Sequence, residues 1–256
     1  MFVNLQLVLL TLLGLNAFAS PVPAPTEVEV TKRGAGLNEF LNTLLDHLPI
    51  VSQSLVDGTS VITTFDKLLG ALTGAQETYN EAEGACKEWT VVFARGTAEP
   101  GNVGVLVGPP LFDALLEKFG SSALTIQGVN NYAASVKGYL AGGDAAGSKE
   151  MARQIEAVKT KCPNTKLIAS GYSQGCQIVH NAVAQLQATT ASWVSSALLF
   201  GDPKNGQALS NIPASKVYTA CHAADDICKN GIIIGPPHLT YALNVDDAAN
   251  FAAAAA

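Results

Sequence analysis

The sequence predicts an α/β fold: a three-layer sandwich with a central, mostly parallel sheet of five strands, preceded by an N-terminal helical hairpin. Two observations carry this. From Cys86 onward, short β-branched runs alternate with longer stretches whose apolar residues recur at helical spacing, and strand, helix, strand repeated in this way builds a parallel sheet covered on both faces. Before Cys86 there are two apolar helical stripes and no strand pattern.

The strands are read at Thr90 to Ala94, Leu124 to Gln127, Lys166 to Ser170, Ser196 to Phe200 and Lys216 to Ala220. Each is short and nearly all apolar or β-branched, as strands buried on both faces are. The helices between them are Leu111 to Phe119, Ser148 to Lys161 and Gly175 to Leu186. In the N-terminal part, Leu37, Phe40, Leu41, Leu44, Leu45 and Leu48 form one stripe ending at Pro49, and Val61, Phe65, Leu68, Leu69 and Leu72 form a second. Gly58 and Gly70 punctuate the pair, which reads as a hairpin packed on the sheet domain. The run Ala252 to Ala256 reads as a frayed tail.

At 256 residues, 48% hydrophobic and 14% charged, the chain can bury the core of one ordinary domain. Leu7 to Leu15 followed by Ala17-Phe18-Ala19 reads as a signal peptide over residues 1–19. Residues 20–33 read as a pro-segment: Pro21, Pro23, Pro25, Glu27 and Glu29 offer little to pack, and Lys32-Arg33 closes the stretch as a dibasic processing junction. The remainder divides into a helical extension at 34–85 and an α/β domain at 86–251. No later stretch approaches the roughly twenty apolar residues of a membrane span; together with the leader this makes a soluble, secreted, extracellular protein the expectation, and a monomer is expected as well. A formal charge of −6 without a basic cluster excludes a nucleic-acid partner. The five cysteines of an exported chain imply disulfides with one thiol left over. Cys221 and Cys228 close a short loop, Cys86 and Cys162 each precede a β-rich segment, and Cys176 is the expected free thiol; spacing alone does not prove the pairing.

The chemistry is carried by Gly171-Tyr172-Ser173-Gln174-Gly175, a G-x-S-x-G pattern between a strand and a helix. A sharp strand-to-helix turn lifts the serine hydroxyl above the sheet, as in the small α/β-hydrolases, and the Gln174 N–H points where an oxyanion would form. A serine needs a base. His47, His180 and His222 sit on a distant helix, on the serine's own helix and beside a cysteine, whereas His238 lies in Gly235-Pro236-Pro237-His238 past the last strand. Asp202, Asp225 and Asp226 all lie between serine and histidine. The Cys221 to Cys228 loop is favoured for the acid, without a choice between its two aspartates. Phe93-Ala94-Arg95-Gly96-Thr97 supplies a second oxyanion donor, Thr97, with Arg95 as a structural tie.

With these motifs in place the stretch from Cys86 to Tyr241 resembles the fungal cutinases and the related acetylxylan esterases. The resemblance rests on Phe93 to Thr97 with Glu99-Pro100-Gly101-Asn102, the serine pentapeptide, Gly201-Asp202-Pro203, and Cys221 to Cys228 followed by Pro237-His238-Leu239-Thr240-Tyr241. It implies Ser173 as nucleophile, His238 as base, Asp225 as acid, Thr97 and Gln174 as oxyanion hole, and disulfides Cys86–Cys162 and Cys221–Cys228. Cys176 stands where a small residue is usual and reads as an inert, buried hydrophobe. The implied activity is hydrolysis of cutin or other lipidic and short acyl esters, with neither metal nor organic cofactor. Residues 34–85 depart from minimal cutinases and are a candidate lid. An acetylxylan esterase, a lidded lipase and a non-catalytic surfactant or effector are the other readings.

Overall fold

The computed structural model describes residues 27–50 and 52–255, with side chains from residue 36 onward. The expected signal peptide and the three prolines of the expected pro-segment lie outside these residues. The elements run α1 (Glu27–Asp46), β1 (Gln53–Ser54), α2 (Leu55–Thr73), β2 (Trp89–Ala94), α3 (Gly108–Phe119), β3 (Leu124–Gly128), α4 (Val136–Leu140), α5 (Ala145–Lys161), β4 (Lys166–Tyr172), α6 (Gln174–Val183), α7 (Ala188–Ala191), β5 (Ser196–Phe200), β6 (Val217–Ala220), β7 (Ile233–Ile234), α8 (Pro236–Leu239) and α9 (Val245–Ala255).

Strands β2 to β6 form one sheet in the order β3-β2-β4-β5-β6, parallel throughout. Successive strand residues point to opposite faces, which splits the core in two. Val91, Phe93, Ile168, Leu198 and Phe200 face α3 and α9. Val92, Ala94, Leu167, Ala169, Ala197 and Leu199 face α5 and α6. The expected five-stranded sandwich is the observed fold. Cys86–Cys162 ties the approach to β2 to the end of α5, Cys221–Cys228 closes the loop after β6, and Cys176 is free and buried.

Away from the loops near the serine, the structure differs from the sequence reading in α1, α9 and α2. Helix α1 runs from Glu27 through the Lys32-Arg33 pair, because no proline after Pro25 interrupts the backbone until Pro49. The alanine tail is not frayed: α9 continues to Ala255 and buries Ala248, Ala249 and Ala252 against α3, small side chains permitting close approach of the two helices. Helix α2 buries Leu55, Gly58, Ile62, Phe65, Asp66 and Leu69, leaving Leu68 and Leu72 exposed. Apolar residues cover much of its circumference, so two faces compete by periodicity, and packing selects the one that meets α1 and β7.

That choice buries a carboxyl group. Asp66 is 0% exposed and neither carboxyl oxygen has a hydrogen-bond partner. Burial, reinforced by Glu99 and Glu77, raises its pKa well above the usual value. An acid whose folded pKa is raised binds more protons folded than unfolded, so stability falls as pH climbs from the ordinary carboxylate range through the raised value. Asp66→Asn is expected to remove this component: thermal midpoints followed from pH 4 to 8 should decline less across that range than those of the parent, and parallel curves would show that Asp66 is solvated in solution.

Candidate active site

Strand β4 ends at Tyr172 and α6 begins at Gln174, leaving Ser173 alone in the bend at φ 55°, ψ −121°. The flanking glycines are a matter of space. A Cβ on Gly171 would fall 2.4 Å from the Gly175 carbonyl carbon, and one on Gly175 would fall 1.9 Å from the Ala94 carbonyl oxygen. The Ser173 N–H donates to the Phe200 carbonyl at 2.9 Å, and the Ser173 carbonyl accepts from the Cys176 N–H at 2.9 Å. Its hydroxyl is thereby held at the positive end of α6.

The remaining groups arrive from the other end of the chain. Pro236 and Pro237 occupy the first turn of α8, a position that tolerates proline, so what read as a loop around His238 is one helical turn. The His238 carbonyl accepts the Tyr172 hydroxyl at 2.9 Å. His238 Nε2 lies 2.9 Å from Ser173 Oγ, and Nδ1 lies 2.8 Å from Asp225 Oδ2. Asp225 also accepts the Tyr241 hydroxyl at 2.6 Å on Oδ2 and the Ile227 N–H at 3.0 Å on Oδ1. Burial would raise the Asp225 pKa, but the imidazole, the phenol and the backbone donor outweigh it and hold the carboxyl below its usual value. Asp226 faces elsewhere, accepting the Ile232 and Ile233 N–H groups at 3.0 Å each. Asp202 contacts His180, with Oδ2 2.9 Å from Nε2.

Thr97 follows β2, and its hydroxyl accepts from Gln174 Nε2 at 2.7 Å. The same amide nitrogen donates to the Ser135 carbonyl at 2.9 Å, which fixes the amide orientation. Arg95 Nε and Nη2 donate to the carbonyls of Glu99 and Tyr132 at 2.7 and 2.9 Å, tying the loop. Glu99 lies inside that loop, accepting the N–H groups of Gly96, Val105 and Leu106 at 2.7, 3.0 and 2.9 Å; burial nevertheless raises its pKa.

The structure thus brings together Ser173, His238, Asp225, Thr97 and Gln174. Sequence reasoning missed the Gln174 side chain, the Tyr241 hydroxyl and Glu99, whose only signal was their place inside the quoted motifs. Around Ser173 and His238, the side chains of Ile62, Leu106, Tyr172, Ile234 and Leu239 close a cavity of about 10 Å³, room for roughly one water. A larger groove of about 760 Å³ lies between α5 and the Asn80–Glu83 segment, lined by Asn130, Arg153 and Gln154, and contains none of these groups.

Tyr241→Phe is expected to remove one donor from the buried carboxylate, a loss of about 1.5–3 kcal/mol. A depressed carboxyl pKa contributes stability above the ordinary carboxylate range that is lost as pH falls through the folded value. Urea unfolding should therefore separate the variant from the parent most at pH 7 and narrow the gap as pH falls below the ordinary carboxylate range, leaving the part due to the His222 N–H that the phenol oxygen also accepts at 2.9 Å; a gap that does not change with pH would mean that the phenol packs without supporting the charge.

The Cutinase family model matches residues 85–256. A cutinase of Hypocrea jecorina is 45% identical over 244 residues, covering 95% of this chain and 96% of its own, and one of Pyrenopeziza brassicae is 46% identical over 197 residues, covering 77% and 96%. The solved structure of a Trichoderma reesei cutinase in complex with a C11Y4 phosphonate inhibitor superposes with a TM-score of 0.72 at 44% identity, covering 86% of this chain and 97% of that one. An acetyl xylan esterase at 23% identity, with a TM-score of 0.55 over 66% of this chain and 99% of its own, shares the fold. The chain belongs to the cutinase family of carboxylic ester hydrolases.

Proposed function

We propose that the protein is a secreted, monomeric serine esterase that cleaves cutin and short-to-medium acyl esters through Ser173, His238 and Asp225. The observation carrying this reading is the unbroken relay from Ser173 Oγ through the imidazole to a buried carboxylate kept ionised by its donors. Ser173 Oγ attacks the ester carbonyl carbon while its proton passes to His238 Nε2, and Asp225 stabilises the imidazolium. The N–H groups of Thr97 and Gln174, with the Thr97 hydroxyl, take the charge on the carbonyl oxygen. Collapse breaks the ester C–O bond as His238 returns the proton to the leaving alcohol. Water then enters by the same route and releases the acid.

Two features support an acyl substrate over an acetylated sugar. The side chains around the serine are apolar, and the surface beside them is as well: Ile232 and Ile233 adjoin Ile234, Val56 follows the residue whose N–H reaches Ile232, and Leu140 follows Tyr139, whose hydroxyl reaches Gly231. All four are exposed, and exposed apolar side chains of this kind suit contact with a lipidic or polyester surface. In this reading α2 is a lid. Ile62 of α2 and Ile234 of β7 line the small cavity beside the serine, and in this reading an acyl chain enters only when α2 or β7 moves. Secretion rests on the apolar leader and on the disulfides.

Hydrolysis of p-nitrophenyl esters from acetyl to decanoyl, beside acetylated xylan, tests the assignment. Activity should rise with acyl length and rise further with submicellar detergent. Ser173→Ala should lower kcat by about 10⁴-fold or more and abolish labelling by a fluorophosphonate, while Thr97→Ala should lower it by about 10²-fold. Preference for acetylated xylan would favour the deacetylase reading, indifference to detergent would reduce α2 to a packing element, and an unlabelled, inactive parent would leave a non-catalytic role.

A further inference from the structure

We propose that His180 and Asp202, a second histidine–aspartate pair outside the reacting groups, are positioning residues that set the separation between the nucleophile and the base. The proposal rests on the assignment of Ser173 and His238 to those roles.

One face of α6 follows the end of β5 and the turn after it. Ser173, at the start of that face, donates its N–H to the Phe200 carbonyl at 2.9 Å. Three residues on, Cys176 Sγ lies 3.4 Å from the same carbonyl oxygen and 3.0 Å from that of Gly171. Two helical turns from the serine, His180 Nε2 donates to Asp202 Oδ2 at 2.9 Å, with both side chains almost wholly buried. The neighbouring Asn181 Oδ1 accepts Lys204 Nζ at 2.6 Å. The other Asp202 oxygen accepts the Lys204 N–H at 2.8 Å, so one carboxylate both shapes the turn and fastens it to the helix.

What this turn presents to the site is Gly201. Its φ is 60°, and its Cα lies against the imidazole: an added Cβ would stand 2.9 Å from His238 Cε1 and 3.1 Å from Nδ1. The ring is therefore backed by a backbone segment whose position is set by Asp202, and Asp202 is fastened to the helix that carries Ser173 and the Gln174 N–H. Apolar side chains of the same size could fill this space without desolvating polar groups. What the directional bond adds is a fixed distance between the two halves of the proton-transfer pair, and small displacements of reacting groups have large effects on rate.

The experiment is steady-state hydrolysis of p-nitrophenyl butyrate, with turnover expressed per site labelled by a fluorophosphonate so that misfolded protein does not count. His180→Phe keeps a flat ring and removes the donor. It should lower kcat about 10-fold and leave KM within about twofold, since a positioning defect falls on the reaction step rather than on binding. His180→Gln, whose amide nitrogen can take the place of Nε2, should restore most of the loss. The proton shared by His238 Nδ1 and Asp225, followed by NMR, should shift or broaden in the Phe variant and recover in the Gln variant. If the Phe variant does not fold, Asp202→Leu carries the same readings, because it keeps the side-chain size and removes the acceptor of both His180 Nε2 and the Lys204 N–H. Unchanged turnover per labelled site, with only a lower melting temperature, would overturn the proposal, and so would a loss that Gln fails to restore. Ser173→Ala separates this from failure of the underlying assignment: a Ser173→Ala protein that still turns over butyrate would remove the nucleophile itself.

Discussion

A residue with a side chain held at φ 55° and ψ −121° lies outside the regions that L-amino acids favour, at a cost of order 1–3 kcal/mol that persists only where the surroundings over-determine the backbone. Here they do. Strand β4 is clamped between β2 and β5 up to Gly171 and held by β5 at Tyr172, α6 starts one residue after the serine, and the two flanking glycines sit against carbonyl groups that no side chain could approach. Relief of the strain would need the strand, the helix or the neighbouring Ala94 backbone to move, and each is packed in the core. The bend therefore has one geometry, and that geometry sends the hydroxyl out of the sheet and the Gln174 N–H alongside it.

Everything else at the site is delivered to that point by elements with little freedom of their own. Asp225 sits in a loop closed by a disulfide over seven positions and accepts from an imidazole, a phenol and a backbone N–H. The balance matters because a buried carboxylate without donors would take up a proton and could not serve, as proposed, to stabilise an imidazolium. Asp66 illustrates the alternative, as a carboxyl equally buried but without hydrogen-bond partners and shifted the other way. Two aspartates within one protein thus occupy opposite regimes, and the number of donors pointed at each decides which.

The sheet and its helices could be read from the sequence because their signals are local. A strand buried on both faces is an apolar run wherever it stands, and Ser173 announces itself by a pentapeptide between a strand and a helix. Asp225 and Asp226 could not be separated by composition or charge, since the difference lies in which way each carboxyl turns within a closed loop; the family resemblance supplied that choice, and the geometry puts Asp225 against the imidazole and Asp226 against the backbone of Ile232 and Ile233. Helix α2 was misread for a related reason. Its apolar residues span more than one stripe, and only the tertiary partners α1 and β7 select the face with Ile62 and Asp66. The alanine run read as low complexity, yet Ala252 is fully buried, because a helix of small residues is informative only to the helix it packs against. The Gln174 side chain escaped notice for a simpler reason: within the motif its position is any residue, and its bond to Thr97 spans 77 positions.

The closed cavity gives the proposed lid a thermodynamic consequence. Moving α2 off the serine exposes Ile62 and its apolar neighbours to water at roughly 25 cal/mol per Å², a cost that any productive substrate must offset through contacts made only in the open form. An acetyl group has almost no apolar surface to offer in return. An acyl chain contributes up to about 0.8 kcal/mol for every methylene it buries, so each added carbon shifts the population of the open, occupied state by up to about fourfold until the groove is filled. Preference for acyl length then needs no dedicated pocket that measures the chain. In the proposed reading it follows from a site shut by the same kind of surface that an acyl substrate presents.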